Sequence, residues 1–225
     1  MSYKEYRQVI NNFKITHPQW NEYDILDYME RKGMDLTYAR YAANVKSENY
    51  DIKILNSKHG PAHAKRVLLL SLIIGTREGL DERSIELLAD AAIHHDIGRE
   101  DETNNDYHGR KSVEKMIKNK LDCKYGDEDK RILHMVMDGH AVGPDRLNEL
   151  IVRYDIWDID TANPILAVLM DADALDRVRI NRLDPNCLQT DNAVQMVDFA
   201  QGLYRDFEQF DLWTDDSGLD EGVEL

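Results

Sequence analysis

The sequence predicts an all-α protein. Two observations lead to this prediction: apolar residues recur at helical spacing along almost the whole chain, and no alternating run of β-branched residues exceeds about four positions. The length of 225 residues suits one domain with an appendage and is ample for a sizeable core. We therefore expect a single helical bundle.

Local signals along the chain place the predicted helices. Four of them begin at a proline or a capping residue, at Pro61, Leu80-Asp81, Asn163-Pro164 and Thr190-Asp191. Their predicted ends are about Ile74, Gly98, Asn181 and Phe207. Periodicity alone predicts helices over about 109–120, 128–139 and 145–153. Gly33 divides residues 1–50 into two or three short helices, and the polar segment 99–108 predicts a loop.

The charge of the chain is strongly acidic, at −15. Residues 206–225 hold eight acidic residues and no Lys or Arg, which predicts a solvated, partly disordered tail. A net acidic surface argues against broad nucleic-acid binding, because the phosphate backbone requires cations. It does not exclude a small phosphorylated substrate bound at a local site.

The sequence divides into three predicted parts: a helical extension over 1–50 that packs on the core, a functional domain over 51–205, and the tail over 206–225. The longest apolar run, 67–75, is far below the roughly 20 residues that span a bilayer. The N-terminus has no apolar signal region, and the isolated Cys123 and Cys187 suit a reducing compartment. We therefore expect a cytoplasmic protein without a membrane partner; its oligomeric state is not readable.

Histidine is concentrated in one part of the chain. Seven of the eight histidines lie between positions 59 and 140. A surface without function has little reason to concentrate imidazoles, whereas metal sites require them. This clustering predicts a metal centre.

Three polar elements interrupt apolar helical segments in this region. They are His63 in HAKRV, His95-Asp96 in AAIHHDIGRE and Asp173 in DADALDRVR. A buried carboxylate is costly without a cation, so Asp173 beside an apolar run requires one. His95 and Asp96 converge on one ion if the helix end is irregular, and Gly98 permits that.

The order His, His-Asp, Asp resembles the HD superfamily of metal-dependent phosphohydrolases, over roughly residues 59–180. The resemblance implies an all-helical HD-domain bundle. It also implies hydrolysis of a phosphate mono- or diester, with a nucleotide-like substrate favoured.

Some members of this family add two histidines and hold two metal ions. By this resemblance the predicted ligands are His63, His95, Asp96, His108, His140 and Asp173. One ion would be held by His63, His95 and Asp173. The other would be held by His108 and His140, with Asp96 bridging the two ions through its two oxygens.

Two features of the predicted centre stay open. His134, followed by Asp138-Gly139, is an alternative ligand to His140 because its spacing is similar to that of the HD-GYP subgroup, although the Gly-Tyr-Pro order is absent. One or two divalent ions are expected, and mixed nitrogen and oxygen ligands suit Mn, Fe, Co, Ni or Zn better than Mg alone.

The predicted catalytic residues are Asp96, Arg99 and Lys111. Two cations about 3.5–4 Å apart would acidify a bridging water to the hydroxide nucleophile, and Asp96 would orient that water or accept its proton. Arg99 or Lys111 would stabilise the charge that develops on the phosphoryl group. Arg177 is a further candidate for that role.

Several neighbours of the predicted ligands have two possible roles. Arg66 and Arg177 lie one helical turn from a ligand, and either orient ligand carboxylates or clamp phosphate. His59 either faces the centre or lies at the surface. Asp171 and Asp176 are predicted surface charges.

Two other classes of function fit the same ligands. A mixed di-iron HD-type oxygenase would use the six-ligand set to oxidise a substrate. A regulatory module would bind metal without turnover.

Overall fold

A computed structural model describes residues 33–103 and 106–209. These residues form nine α-helices and no strand, so the all-α prediction is confirmed for this part of the chain. The helices are α1 (Met34–Ala42), α2 (Pro61–Arg77), α3 (Glu82–His94), α4 (His108–Lys118), α5 (Asp127–Gly139), α6 (Leu147–Tyr154), α7 (Ile159–Leu175), α8 (Asp191–Val194) and α9 (Val197–Gln209).

Helix starts follow the local signals in three of the four predicted cases, including Thr190 as the cap of α8, and depart from them in the fourth. Pro61 is the first residue of α2, and the Asp81 side chain caps α3 by accepting from the Ser84 amide at 2.8 Å. The predicted start of α7 at Asn163-Pro164 is wrong. Asp158 caps this helix instead, by accepting from the Thr161 amide at 3.2 Å, and Pro164 lies inside the helix.

The C-terminal part of the chain also departs from the prediction. Helix α7 ends at Leu175 and continues as a 3-10 helix over Asp176–Ile180 rather than as an α-helix. Asn181 closes this segment in the left-handed conformation, at φ 59°. The predicted last helix is divided into α8 and α9.

The core of the described part is built by α2, α3, α5 and α7, which pack on one another. Helix α2 is the most deeply buried, because apolar residues surround its axis from Val67 to Ile74. The start of α2, the ends of α3, α5 and α7, and the start of α4 carry the predicted metal ligands. The packing therefore brings together segments that are distant in sequence.

Helix α1 lies in the part that the sequence assigned to the extension. Its Tyr38 and Tyr41 are buried against the core. Residues 1–32 and the predicted tail over 210–225 lie outside the described residues, and the division of the chain at 50 and 205 stays a prediction. Among the described helices, none combines the length and apolarity needed to cross a bilayer.

Gly98 fixes the distance between α4 and the turn that follows α3. A Cβ at this position would lie 2.2 Å from the backbone nitrogen of Ser112, and the Gly98 amide donates to Ser112 Oγ at 2.9 Å. Gly98 is therefore required for this close approach, and its backbone is not among the positive-φ glycines.

We expect Gly98→Ala to lower the free energy of unfolding by about 3 kcal/mol, since backbone atoms cannot yield to the added methyl group. Denaturant unfolding measures the change. Gly126→Ala is the matched control, because a Cβ there meets nothing within 4 Å, and its cost should stay below about 1 kcal/mol. Equal costs for the two variants would contradict the close-packing argument.

Candidate metal centre

Six side chains from five parts of the fold meet in the interior. They are the predicted ligands His63, His95, Asp96, His108, His140 and Asp173. We call this set the candidate metal centre. Each helix contributes from an end, and Asp96 lies in the turn after α3. Groups of three within this set have ligand atoms close enough to share one metal ion.

The two oxygens of Asp96 face different pairs of histidines. Oδ2 lies 3.6 Å from His63 Nε2 and 3.7 Å from His95 Nε2. Oδ1 lies 3.5 Å from His108 Nε2 and 3.6 Å from His140 Nε2. The carboxylate therefore stands between two half-sites, each of which has two imidazole nitrogens and one Asp96 oxygen.

The two imidazole nitrogens of each half-site are as far apart as two ligands of a common ion. The Nε2 atoms of His63 and His95 are 3.1 Å apart, and those of His108 and His140 are 3.0 Å apart. Two ligands about 2.0–2.1 Å from a cation at tetrahedral or octahedral angles are separated by about 2.9–3.4 Å. Asp173 Oδ1, at 3.3 Å from His63 Nε2, completes the first half-site.

The opposite ring nitrogens fix how the imidazoles are oriented. His63 Nδ1 lies 2.7 Å from Asp176 Oδ2, His95 Nδ1 lies 2.8 Å from the Ala92 carbonyl, and His140 Nδ1 lies 2.6 Å from the Met137 carbonyl. An oxygen acceptor at Nδ1 assigns the proton to that nitrogen and leaves the Nε2 lone pair free. These three imidazoles are therefore set to bind metal through Nε2.

These facts together form a test of whether the residues fit a metal. Two facing Nε2 lone pairs at 3.1 Å repel each other and cannot both accept, so a cation between them would stabilise this buried arrangement. His95 and Asp96 are 0% and 2% exposed, respectively, which leaves little water to take that role. The donor set fits a divalent metal with mixed nitrogen and oxygen ligands.

Burial and neighbouring charge set the protonation states. Burial lowers the pKa of His95 to about 3, against the attraction of Asp96, so this imidazole is neutral. Burial alone would raise the pKa of Asp96, but His95, His140, His59 and Arg99 lower it well below its usual range. A neutral imidazole beside an ionised carboxylate is the state that binds metal.

Arg99 lies against the second half-site. Its Nε donates to Asp96 Oδ1 at 2.7 Å, and its Nη2 lies 3.0 Å from His108 Nε2. Nη1 donates to the Thr103 carbonyl at 3.2 Å, which anchors the loop before α4. Arg99 therefore contacts two of the predicted ligands, as its predicted place beside the centre requires.

Asp176 connects the first half-site to Arg66 and was not recognised from the sequence. Arg66 donates to both Asp176 oxygens, at 2.7 and 3.0 Å, and Asp176 in turn holds His63 Nδ1. The prediction of surface charges is wrong for Asp176 and for Asp171, since each is only 1% exposed. Of the two roles considered for Arg66, the geometry selects orientation of a ligand through a carboxylate.

We expect Asp176→Asn to reduce the metal affinity of the chain by about 10- to 100-fold, because the amide holds the His63 imidazole less firmly. Titration of the metal-free protein with Zn²⁺ or Mn²⁺ measures the change. Asp171→Asn is the matched control: this buried carboxylate holds Gln189 and Thr190, away from the candidate metal centre, and its loss should leave metal affinity unchanged. Equal effects would assign Asp176 a purely structural role.

His59 faces the centre rather than the surface. Its Nδ1 lies 2.9 Å from Asp96 Oδ2 and 3.2 Å from Arg179 Nη2. Arg179 also donates from Nε to the Lys58 carbonyl at 2.7 Å. His59 and Arg179 therefore form a second layer on the side of the first half-site, and only the former was considered from the sequence.

Two other predicted candidates are placed apart from the centre. Lys111 pairs with Glu100 at 2.8 Å, and its side chain is 44% exposed, so the structure does not bring this predicted catalytic residue to the metal ligands. His134 pairs with Asp122 at 3.0 Å, whereas His140 lies in the centre. The geometry therefore favours His140 over His134 as the ligand.

Comparison of the chain with models of protein families, with curated proteins and with solved structures finds no match.

Proposed function

We propose that this chain is a metal-dependent phosphohydrolase of the HD type, which hydrolyses a phosphate mono- or diester. The observation that carries the proposal is Asp96, whose two oxygens each face a separate pair of histidine Nε2 atoms. A carboxylate held in this way suits two adjacent metal ions, and pairs of ions are a common device for phosphoryl transfer. The order of the ligands along the helical chain, which resembles that of the HD superfamily, supports the same assignment.

The chemistry divides between the ions and the protein. Bound metal ions would lower the pKa of a coordinated water and neutralise charge on the phosphoryl oxygens. Asp96 lies between the two half-sites and contacts the histidines of both. The Asp173 side chain is 17% exposed, at the edge where substrate would enter. Arg99 is fixed by Asp96 and directs a guanidinium toward the second half-site, where it would stabilise charge on the phosphoryl group.

The test combines elemental analysis with an activity panel. Purified protein should contain about two transition-metal ions per chain, and should hydrolyse p-nitrophenyl phosphate or bis-p-nitrophenyl phosphate with its native metal. Loss of turnover after chelation, and its return with Mn, Fe, Co, Ni, Zn or Mg, would identify the active ion. Iron dependence with oxygen consumption, or metal binding without any turnover, would instead support the oxygenase or the regulatory module.

His140 and His134 offer a matched pair for this test. We expect His140→Ala to lose at least one metal ion per chain and to reduce hydrolysis by about 100-fold or more, because the second half-site loses one of its two imidazoles. His134→Ala should retain both metal and activity, since its imidazole contacts Asp122 instead. The opposite result would restore His134 as the ligand.

A further inference from the structure

The candidate metal centre opens into a cavity of about 340 Å³. Its inner wall is formed by Arg99, His108, His140 and Asp173. Positively charged side chains dominate the rest of the lining: Lys58, Arg177, Arg179 and Arg182. The cavity thus has an inner metal-ligand layer and an outer basic layer.

Three side chains of the outer layer have no partner within the described residues. Lys58, Arg177 and Arg182 are exposed, and their side chains form no hydrogen bond or ion pair there. Several other surface arginines of the described part pair with a carboxylate, namely Arg40, Arg83, Arg131, Arg146 and Arg153. In a chain of net charge −15, unpaired cations that gather at one cavity indicate an anionic ligand.

Acidic groups at the cavity are few. The lining carboxylates are Glu102 and Asp173, and Asp173 belongs to the candidate metal centre. Arg179 lies 3.5 Å from Asp176, but that carboxylate already accepts two hydrogen bonds from Arg66, so the charge of Arg179 is only partly compensated. The fully unpaired charge lies on Arg177, Arg182 and Lys58, beyond the position of the metal ligands.

The lining also limits the kind of molecule that fits. Its apolar members among the described residues are Ala141 and Ile180, and none of those lining residues is Phe, Tyr or Trp. Nucleobases are held largely by stacking on aromatic or apolar side chains. The described lining has no Phe, Tyr or Trp for this purpose, which makes it better suited to a compact, charged substrate than to the nucleotide-like one that the sequence suggested.

We infer that the substrate is a compact phosphate ester that carries a second acidic group, either a carboxylate or another phosphate. The phosphate to be hydrolysed lies at the metal ligands and Arg99, while Arg177 and Arg182 bind the second anion. Two guanidiniums suit this task because they bind planar or tetrahedral oxyanions through paired donors. The identity of the reacting group rests on the proposed function, whereas recognition of the second anion rests on the outer layer alone.

Non-hydrolysable phosphonates test the inference by binding, without need for turnover. Calorimetry on the metal-loaded full chain compares propylphosphonate with 3-phosphonopropionate and propane-1,3-bisphosphonate, which add a carboxylate or a second phosphonate to the same short chain. At least one of the two doubly acidic probes should bind about tenfold more tightly than propylphosphonate. The preferred probe distinguishes a carboxylate from a phosphate as the second group.

The double variant R177Q/R182Q should reduce this preference to less than about threefold, because both guanidiniums that bind the second anion are lost. Both side chains are exposed and unpaired within the described part, so their replacement should not disturb the fold. The control R110Q/K118Q removes the same charge from exposed positions of α4 outside the cavity lining, and should retain the preference.

Equal affinities in the wild type, or a preference that survives in R177Q/R182Q, would overturn the inference. Tighter binding of an adenosine phosphonate than of either doubly acidic probe would also overturn it. Failure of the proposed function would give a different result. If the chain prefers the doubly acidic probes but hydrolyses no ester, the assignment of the outer layer to a second anion stands and the proposed function fails. If the chain hydrolyses an ester but does not prefer the doubly acidic probes, the proposed function stands and the inference about the second anion fails.

Discussion

Asp96→Asn should abolish both the paired metal site and the hydrolytic activity. The amide keeps the size of the side chain but offers one oxygen instead of two, so it cannot serve both half-sites. Its NH₂ group would face either the pair formed by His63 and His95 or the pair formed by His108 and His140. Both half-sites would lose the negative charge of the carboxylate, and in either orientation one of them would also meet a donor in place of an acceptor.

The expected loss of activity is about a thousandfold or more, which corresponds to roughly 4 kcal/mol of transition-state stabilisation. Metal content should fall by at least one ion per chain. Elemental analysis and turnover of bis-p-nitrophenyl phosphate measure the two effects on the same sample. Asp122→Asn is the control, because Asp122 is also buried and also pairs with a histidine, but outside the candidate metal centre. Survival of metal content and activity in Asp96→Asn would refute the proposed site.

Removal of metal should destabilise the whole fold. Without a cation, the buried Nε2 lone pairs of His63 and His95 face each other at 3.1 Å. The ligands also come from α2, α4, α5, α7 and the turn after α3, so bound ions would connect most of the core helices. Binding that occurs only in the folded state adds its free energy to the stability of that state.

At free metal concentrations of about 1,000 times the dissociation constant, the added stability is about 4 kcal/mol. For a domain of this size that corresponds to a fall in Tm of about 8–16 °C on chelation. Calorimetry before and after EDTA, with elemental analysis of both samples, measures the shift, and added metal should reverse it. In Asp96→Asn the shift should be smaller. An unchanged Tm in protein shown to be free of metal would contradict a structural contribution of the ions.

Much of the fold and the ligand order could be predicted because those signals are local. Pro61 and Asp81 satisfy or replace the first amides of a helix, so the residue type alone indicates where α2 and α3 begin. The predicted start of α7 at Asn163-Pro164 was wrong because the same local signal also occurs inside a helix. A proline is tolerated at a helix start, but here Asp158 provides the cap five residues earlier.

Asp176 shows why other parts of the site could not be predicted. The sequence suggested a continuous α-helix to about Asn181, which carries successive side chains around the axis in steps of about 100°. The segment Asp176–Ile180 is instead a 3-10 helix with about three residues per turn, so side chains three positions apart share one face. Asp176 is buried because it meets His63 and Arg66 of α2, and that contact depends on how α2 packs against this segment, which leaves no signal in the local sequence.

His59 and Lys111 depend on tertiary packing in opposite ways. His59 precedes α2 in an irregular segment, and the packing of that segment against the centre brings it to Asp96. Lys111 follows His108 by three residues, yet α4 turns its side chain outward to Glu100. Proximity in sequence to a ligand therefore did not decide proximity in space.

The sequence by itself determined the helical class, the acidic charge and the order of histidines and aspartates that predicts a metal centre. Periodicity, capping and residue chemistry are properties of short segments, and they are readable without neighbours in space. Only the tertiary structure decided that each Asp96 oxygen faces its own pair of imidazoles, and that unpaired cations surround the opening. Those features depend on the angles at which distant helix ends meet, and interhelical packing sets these angles.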